Sequence, residues 1–167
     1  RLSIHGQRDM GGHLVAIEVG IVRRAYERVE LNSLPVDQGR LEGLDTKTME
    51  SLIDIDHRWE KTYRKAQKLL IDMPENENGF YPHHYLIAKE EYQWSDTINM
   101  VENLYTAIDA LEAGRSTAAF QAFLKNQIQQ GKIFNHYDMA GGPADTDEST
   151  AVYALAARFL YLGGEMN

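Results

Sequence analysis

The chain has 167 residues, 43% of them hydrophobic and 25% charged, with a formal net charge of -8 and a pI near 5.2. That length holds one domain with a real core, and an acidic chain without a basic patch argues against a nucleic-acid surface. Cysteine is absent, which excludes disulfides and a thiol nucleophile and leaves the compartment open.

In chain order, residues 13–29 carry Leu14, Ile17, Ile21, Ala25 and Tyr26 at helical spacing, widened by Val15, Val19 and Val22. This predicts a helix buried on most sides, with a strand as the competing reading for 14–22. The apolar run 14–22 is short and contains Glu18, so no membrane span is expected from it. The chain opens on Arg1 with no signal-peptide pattern, and is expected to be a mature form or a fragment. Residues 32–43 read as loop. Asp45 and Thr46 are expected to cap a short helix carrying Leu44, Met49, Leu52 and Ile53. Asp56 opens a longer helix with Trp59, Tyr63, Ala66 and Leu70 on one side, ending before Pro74, and Trp59 is assigned to the core.

Residues 75–91 read as an irregular, aromatic-rich connection. Ser95 is the expected N-cap of a helix that runs to Gly114 with Ile98, Val101, Tyr105, Ile108 and Leu111 as its stripe. Ser116 is expected to cap the next helix, which carries Phe120, Phe123 and Leu124 and closes at Gly131. A loop over 132–147 leads into a last helix from Ser149 to Leu162, stopped by Gly163 and Gly164. About six helices, with short links alternating with long loops, predict an all-α fold. It is a single domain of antiparallel helical hairpins, with the loops around 81–92 and 134–148 gathered at one end.

The sequence has no Gly-rich phosphate loop, no His-Glu-x-x-His and no nucleophile elbow. Asp96 falls in the expected first turn of its helix. There a carboxylate either favours the positive helix end or stands at the mouth of a cleft as a general base. Asn99 and Asn103 follow on the same face. Asp145, Asp147 and Glu148 form an acidic cluster that either caps the last helix or turns Glu148 toward a substrate; its spacing does not fit a calcium loop. His83 and His84 are adjacent and expected to point apart, so no joint metal site is expected, and no cofactor is implied. Tyr92, Trp94 and Tyr137 are of the kind that either fill cores or stack on sugars.

The run Asp54-Ile-Asp-His-Arg-Trp-Glu-Lys-Thr-Tyr63 resembles the helix-pair junctions of glycoside hydrolase family 8. The helix 95–113, the loop Gly131-Lys-Ile-Phe-Asn-His-Tyr-Asp138 and the run Glu148-Ser-Thr-Ala-Val-Tyr-Ala-Leu-Ala156 follow in the order of that family. The resemblance covers residues 45–163. It implies an (α/α)6 toroid with a glycan cleft at one end, of which this chain is about half, the C-terminal half. It also implies inverting hydrolysis of an exopolysaccharide or cell-surface glycan in a bacterial, secreted or surface-bound protein. Ser95-Asp-Thr-Ile-Asn99 is similar to the family's Tyr-Asp-Ala-x-Arg segment, which makes Asp96 the implied catalytic base. Ser95 replaces the aromatic and Asn99 the arginine. Tyr92, Trp94, Asn99, Tyr137 and Glu148 are the implied substrate-binding residues. The family's acid-bearing Ser-Glu-Gly segment is absent, and Glu18 does not take its role. The implied partners are a polysaccharide and either a second copy or the missing half of the toroid. The competing readings are a non-catalytic glycan-binding relative and a helical protein-interaction module.

Overall fold

A computed structural model describes residues 39–164 of the chain, all within one compact unit that begins at Asp37. The helix expected over 13–29, the run 14–22 and Glu18 lie outside the described residues. Ten elements follow: β1 (Gly39–Arg40), α1 (Thr46–Ile53), α2 (Arg58–Asp72), β2 (His84–Leu86), β3 (Glu91–Gln93), β4 (Thr97–Asn99), α3 (Met100–Glu112), α4 (Ala118–Gln129), β5 (His136–Asp138) and α5 (Thr150–Leu162). The described residues are therefore mainly helical, with two small antiparallel sheets that the all-α expectation omitted. One sheet has the order β1-β2-β3, with Tyr85 opposite both Gly39 and Tyr92. The other pairs Thr97 with Asp138, Ile98 with Tyr137 and Asn99 with His136. Strands of two or three residues are too short to show alternation in a sequence, which is why 75–91 reads as irregular.

Helix ends follow local chemistry. Asp45 caps α1 by accepting from the Thr48 N–H at 2.8 Å, and Ser149 caps α5 by accepting from the Val152 N–H at 3.3 Å. Gly114, Gly131 and Gly164 stand just past their helices at positive φ, as a left-handed C-terminal residue requires. Two caps differ from expectation. α4 starts after Thr117, whose side chain makes no capping bond, and Ser116 is not the cap. α3 starts at Met100 rather than behind Ser95, because the backbone of 97–99 is taken up by the ladder with β5. Asn99 is its cap, with the side-chain oxygen accepting from Val101 and Glu102 N–H at 3.0 and 3.3 Å.

α3 is the central helix. Its Leu104, Ala107, Ile108 and Ala110 are buried, and it packs against α2 and α5, while α1 packs on α2 across the link 54–57. Trp59 is buried as expected. α4 joins the core through aromatic rings: Phe80 meets Phe123 edge-on at 4.8 Å, Phe123 meets Tyr137 at 5.1 Å, and Phe120 meets Phe159 at 5.4 Å. The loop before Phe80 reaches α4 through Gly79, which has φ +75; a Cβ there would lie 2.2 Å from the Phe120 backbone nitrogen. Only glycine fits both that conformation and that approach.

Candidate functional site

The β4–β5 pairing brings the segment before α3 against the segment after α4, and residues 81–83, just before β2, line the same space. Between them is a cleft of about 120 Å³. Asn99, Glu102, Asn103 and Thr106 form one wall. They recur at the three- and four-residue spacing that aligns side chains along a helix. Tyr81, Pro82 and His83 form a second wall, Ser95, Thr97 and Ile98 a third, and Glu42 and His136 close the rim. The expectation that the loops around 81–92 and 134–148 meet at one place holds here, since His83 and His136 line the same cleft.

A charged network runs along this cleft. The Arg40 guanidinium donates to Glu42 Oε1 at 2.8 Å and Glu102 Oε1 at 3.2 Å. The other Glu102 oxygen lies 2.8 Å from His83 Nε2, within ion-pair reach, although the nitrogen is not aligned as a hydrogen-bond donor. His83 and His84 do not point apart; their rings meet edge-on at 4.0 Å. Burial lowers the affinity of His84 for a proton, and the neighbouring His83 and Arg40 lower it further. At the rim His136 Nδ1 lies 2.5 Å from Asp145 Oδ2, and this hydrogen bond holds the Asp145 carboxyl below its ordinary range. Among the described residues no group of three or more His, Asp or Glu could hold a metal ion.

Asn103 is 5% exposed. Its Oδ1 accepts the Tyr81 N–H at 2.9 Å, while its Nδ2 has no partner. Because a backbone N–H can only donate, the amide orientation is fixed by that bond.

The implied site residues are distributed unevenly. Asn99 lines the cleft. Asp96 is exposed in a bend between two cleft residues, Ser95 and Thr97, ahead of β4 and outside the helix. Trp94 is partly buried against the core. Tyr92 meets Tyr85 edge-on at 4.9 Å and donates its hydroxyl to the Leu69 carbonyl at 2.7 Å; burial pushes that phenol up to about 12. Tyr137 is enclosed at 0% exposure, its oxygen accepting from Phe134 N–H at 3.0 Å and donating to Gln127 Oε1 at 3.2 Å. It is a core ring and presents no face to a ligand. Glu148 accepts the Tyr153 hydroxyl and lies 3.6 Å from Lys132 Nζ.

Sequence reasoning misses Glu102 and His136 as cleft residues, weighs His83 only as a ligand contact or a packed loop residue, and does not place Asn103 in a cleft. One signal is present for the first. Asn99-Met-Val-Glu102 has the spacing of a capping box, and reading it so moves the helix start to Asn99 and turns Glu102 and Asn103 to one side.

No family model matches the chain. Over 103 residues it is 32% identical to "Putative lipoprotein YdaJ" of Bacillus subtilis (strain 168), a match that takes in 60% of this chain and 28% of YdaJ. The chain thus spans less than a third of that relative. Its fold is similar to that of a solved structure described as a novel alpha-amylase from Clostridium perfringens, with a TM-score of 0.67 and 21% identity over 78% of this chain and 40% of that one. It is also similar to PssZ from Listeria monocytogenes, with a TM-score of 0.63 and 24% identity over the same shares, 78% and 40%. At these identities the likeness is one of fold.

Proposed function

We propose that this chain belongs to a glycan hydrolase similar to family 8, and forms about half of its (α/α)6 toroid. The observation that carries the reading is the position of Asp96. Its carboxylate is exposed and is flanked by Ser95 and Thr97 of the cleft. In an inverting reaction Asp96 takes a proton from a water as its oxygen attacks the anomeric carbon. An acid from elsewhere in the whole protein protonates the departing oxygen, and the two carboxyl groups stand about 6.5–9.5 Å apart. No cofactor is needed for that exchange. Under this reading Trp94, Tyr92 and Glu148 would contact the glycan beyond the described cleft, whose lining holds none of them, and Tyr137 backs β4 from within the core.

The fold likeness to an alpha-amylase supports action on a glycan, and the name of YdaJ supports a secreted or surface-bound setting. Among the described residues no helix is long and apolar enough to cross a membrane. Tyr161 is 67% exposed, Ile128 48% and Leu162 41%, faces that a second copy or the rest of the toroid would cover.

One observation favours a second reading, glycan binding without catalysis: no donor among the described residues holds the Asp96 carboxylate in a fixed direction, as an efficient base requires. The two separate by incubating the full-length protein with bacterial exopolysaccharides and β-glucans. New reducing ends, released with inverted anomeric configuration by NMR, support the hydrolase. Binding without any new reducing end supports the second reading.

A further inference from the structure

An imidazole at the rim of the cleft is held in place from behind. His136 lies opposite Asn99 in the β4–β5 ladder, and residues paired across a ladder share a face with those two positions away. Thr97, Asn99 and His136 accordingly line the cleft together. The His136 backbone is fixed by its carbonyl, which accepts the Ala144 N–H at 2.9 Å. Its ring is fixed by Asp145, whose Oδ2 lies 2.5 Å from Nδ1. Asp145 is held in turn, because its Oδ1 accepts the Asp147 N–H at 3.2 Å. The bond to the ring keeps the Asp145 carboxyl below its ordinary range, so at neutral pH it is ionised and can only accept. The hydrogen of that bond therefore sits on Nδ1, which leaves Nε2 of the neutral ring with a lone pair.

That lone pair faces the cleft. His136 lines the cleft and Asp145 does not, so the ring end remote from Asp145 is the end on the cleft. The side chain is 42% exposed, and no described residue bonds Nε2. Resting on the glycan reading above, we propose that His136 is a positioning residue of this cleft: its Nε2 accepts the hydrogen of a saccharide hydroxyl, and Asp145 fixes the tautomer that makes it an acceptor. His136 transfers no proton in this role. It sets how the bound ring lies in the space next to Asp96.

The test begins with the 167-residue chain, ¹⁵N-labelled, at about pH 8, on the basic side of the usual histidine range. Long-range ¹H–¹⁵N correlations should show His136 with a proton on Nδ1 and none on Nε2, and Asp145→Asn should remove that preference. Cellotetraose or maltotetraose should then shift the Nε2 resonance. His136→Gln and His136→Phe both break the bond to Asp145, but Gln places an amide oxygen near where Nε2 stood. His136→Phe should weaken saccharide binding by about tenfold, and His136→Gln by about threefold or less. A proton on Nε2, alone or together with one on Nδ1, overturns the acceptor assignment. So does a saccharide that shifts other cleft residues and leaves Nε2 unmoved, or an equal effect in the Gln and Phe variants, which would make His136 a strut for the Asp145 loop. In each of those cases the glycan reading stands. If neither tetrasaccharide moves any resonance, the glycan reading falls, and this inference with it.

Discussion

Arg115 closes the end of α2 from a distance in sequence. Its guanidinium donates to the carbonyls of Leu70 and Ile71 at 3.2 and 3.3 Å and to that of Met73, and it pairs with Glu75 at 3.2 Å. These are the carbonyls a helix leaves unpaired at its C-terminus. The side chain is only 13% exposed, so water is a poor substitute. Arg115→Met should lower stability by about 2–3 kcal/mol, seen as a lower denaturant midpoint at unchanged slope. Arg115→Lys should recover little of it, since an ammonium cannot span several acceptors at once. A midpoint within error of the parent for Arg115→Met would contradict this role. The same scale shows where sequence reading stops. Tyr92, Trp94 and Tyr137 are alike as residue types, yet Tyr137 is sealed in the core while Tyr92 and Trp94 keep partial access. Nothing local separates them, because the choice is made by what Phe80, Phe123 and Gln127 bring from other segments.

At the scale of elements, two contacts fix how loops sit on helices. Gly79 presses its backbone on the start of α4 at positive φ. Gly79→Ala combines a strained conformation with a backbone clash and should cost about 2–4 kcal/mol or prevent folding. Retention of the parent's thermal midpoint would show that the loop can withdraw. Asp109 on α3 holds the turn after β1, its Oδ2 accepting the Gly43 N–H at 3.1 Å. It is 8% exposed, and burial pushes its carboxyl up to about 7, with the Gly43 bond opposing. The folded state therefore binds this proton more tightly than the unfolded state, whose value is near 3.8. The stability this contributes is complete below about pH 4 and is lost as pH rises through about 7. Asp109→Asn should remove that dependence, so that the parent's thermal midpoint falls relative to the variant's between pH 5 and 8. Parallel midpoints over that range would place the Asp109 proton elsewhere. The described helices are legible in the sequence, because apolar residues recur through them for three or four turns, or two in α1. The stripe expected on α3 is shifted, however: Ile98 lies in β4, Tyr105 is exposed, and Leu104, Ala107 and Ala110 are buried beside Ile108. The strands are not legible. The shift of the α3 start from Ser95 to Asn99 follows from a ladder whose other strand, β5, begins only at His136, on the far side of two helices. No local pattern around Ser95 carries that pairing.

At the scale of the molecule, the arrangement gathers residues 81–83 and His136 at one cleft while α3 supplies both core residues and a cleft wall. Its buried face carries Leu104 and Ile108, and its cleft face carries Glu102 and Asn103. The likeness to solved structures extends over 78% of this chain but only 40% of theirs, so under the proposed reading the acid partner of Asp96 belongs to the remainder of the toroid. The most direct test is the turnover of full-length Asp96→Asn on a polysaccharide the parent cleaves, measured with its binding constant. The expected result is a fall of about 10²–10⁴-fold in kcat with binding nearly unchanged, because the amide keeps the shape of the side chain and loses only its capacity to take a proton. Turnover equal to that of the parent would contradict the proposed base and reduce Asp96 to an exposed residue in a bend.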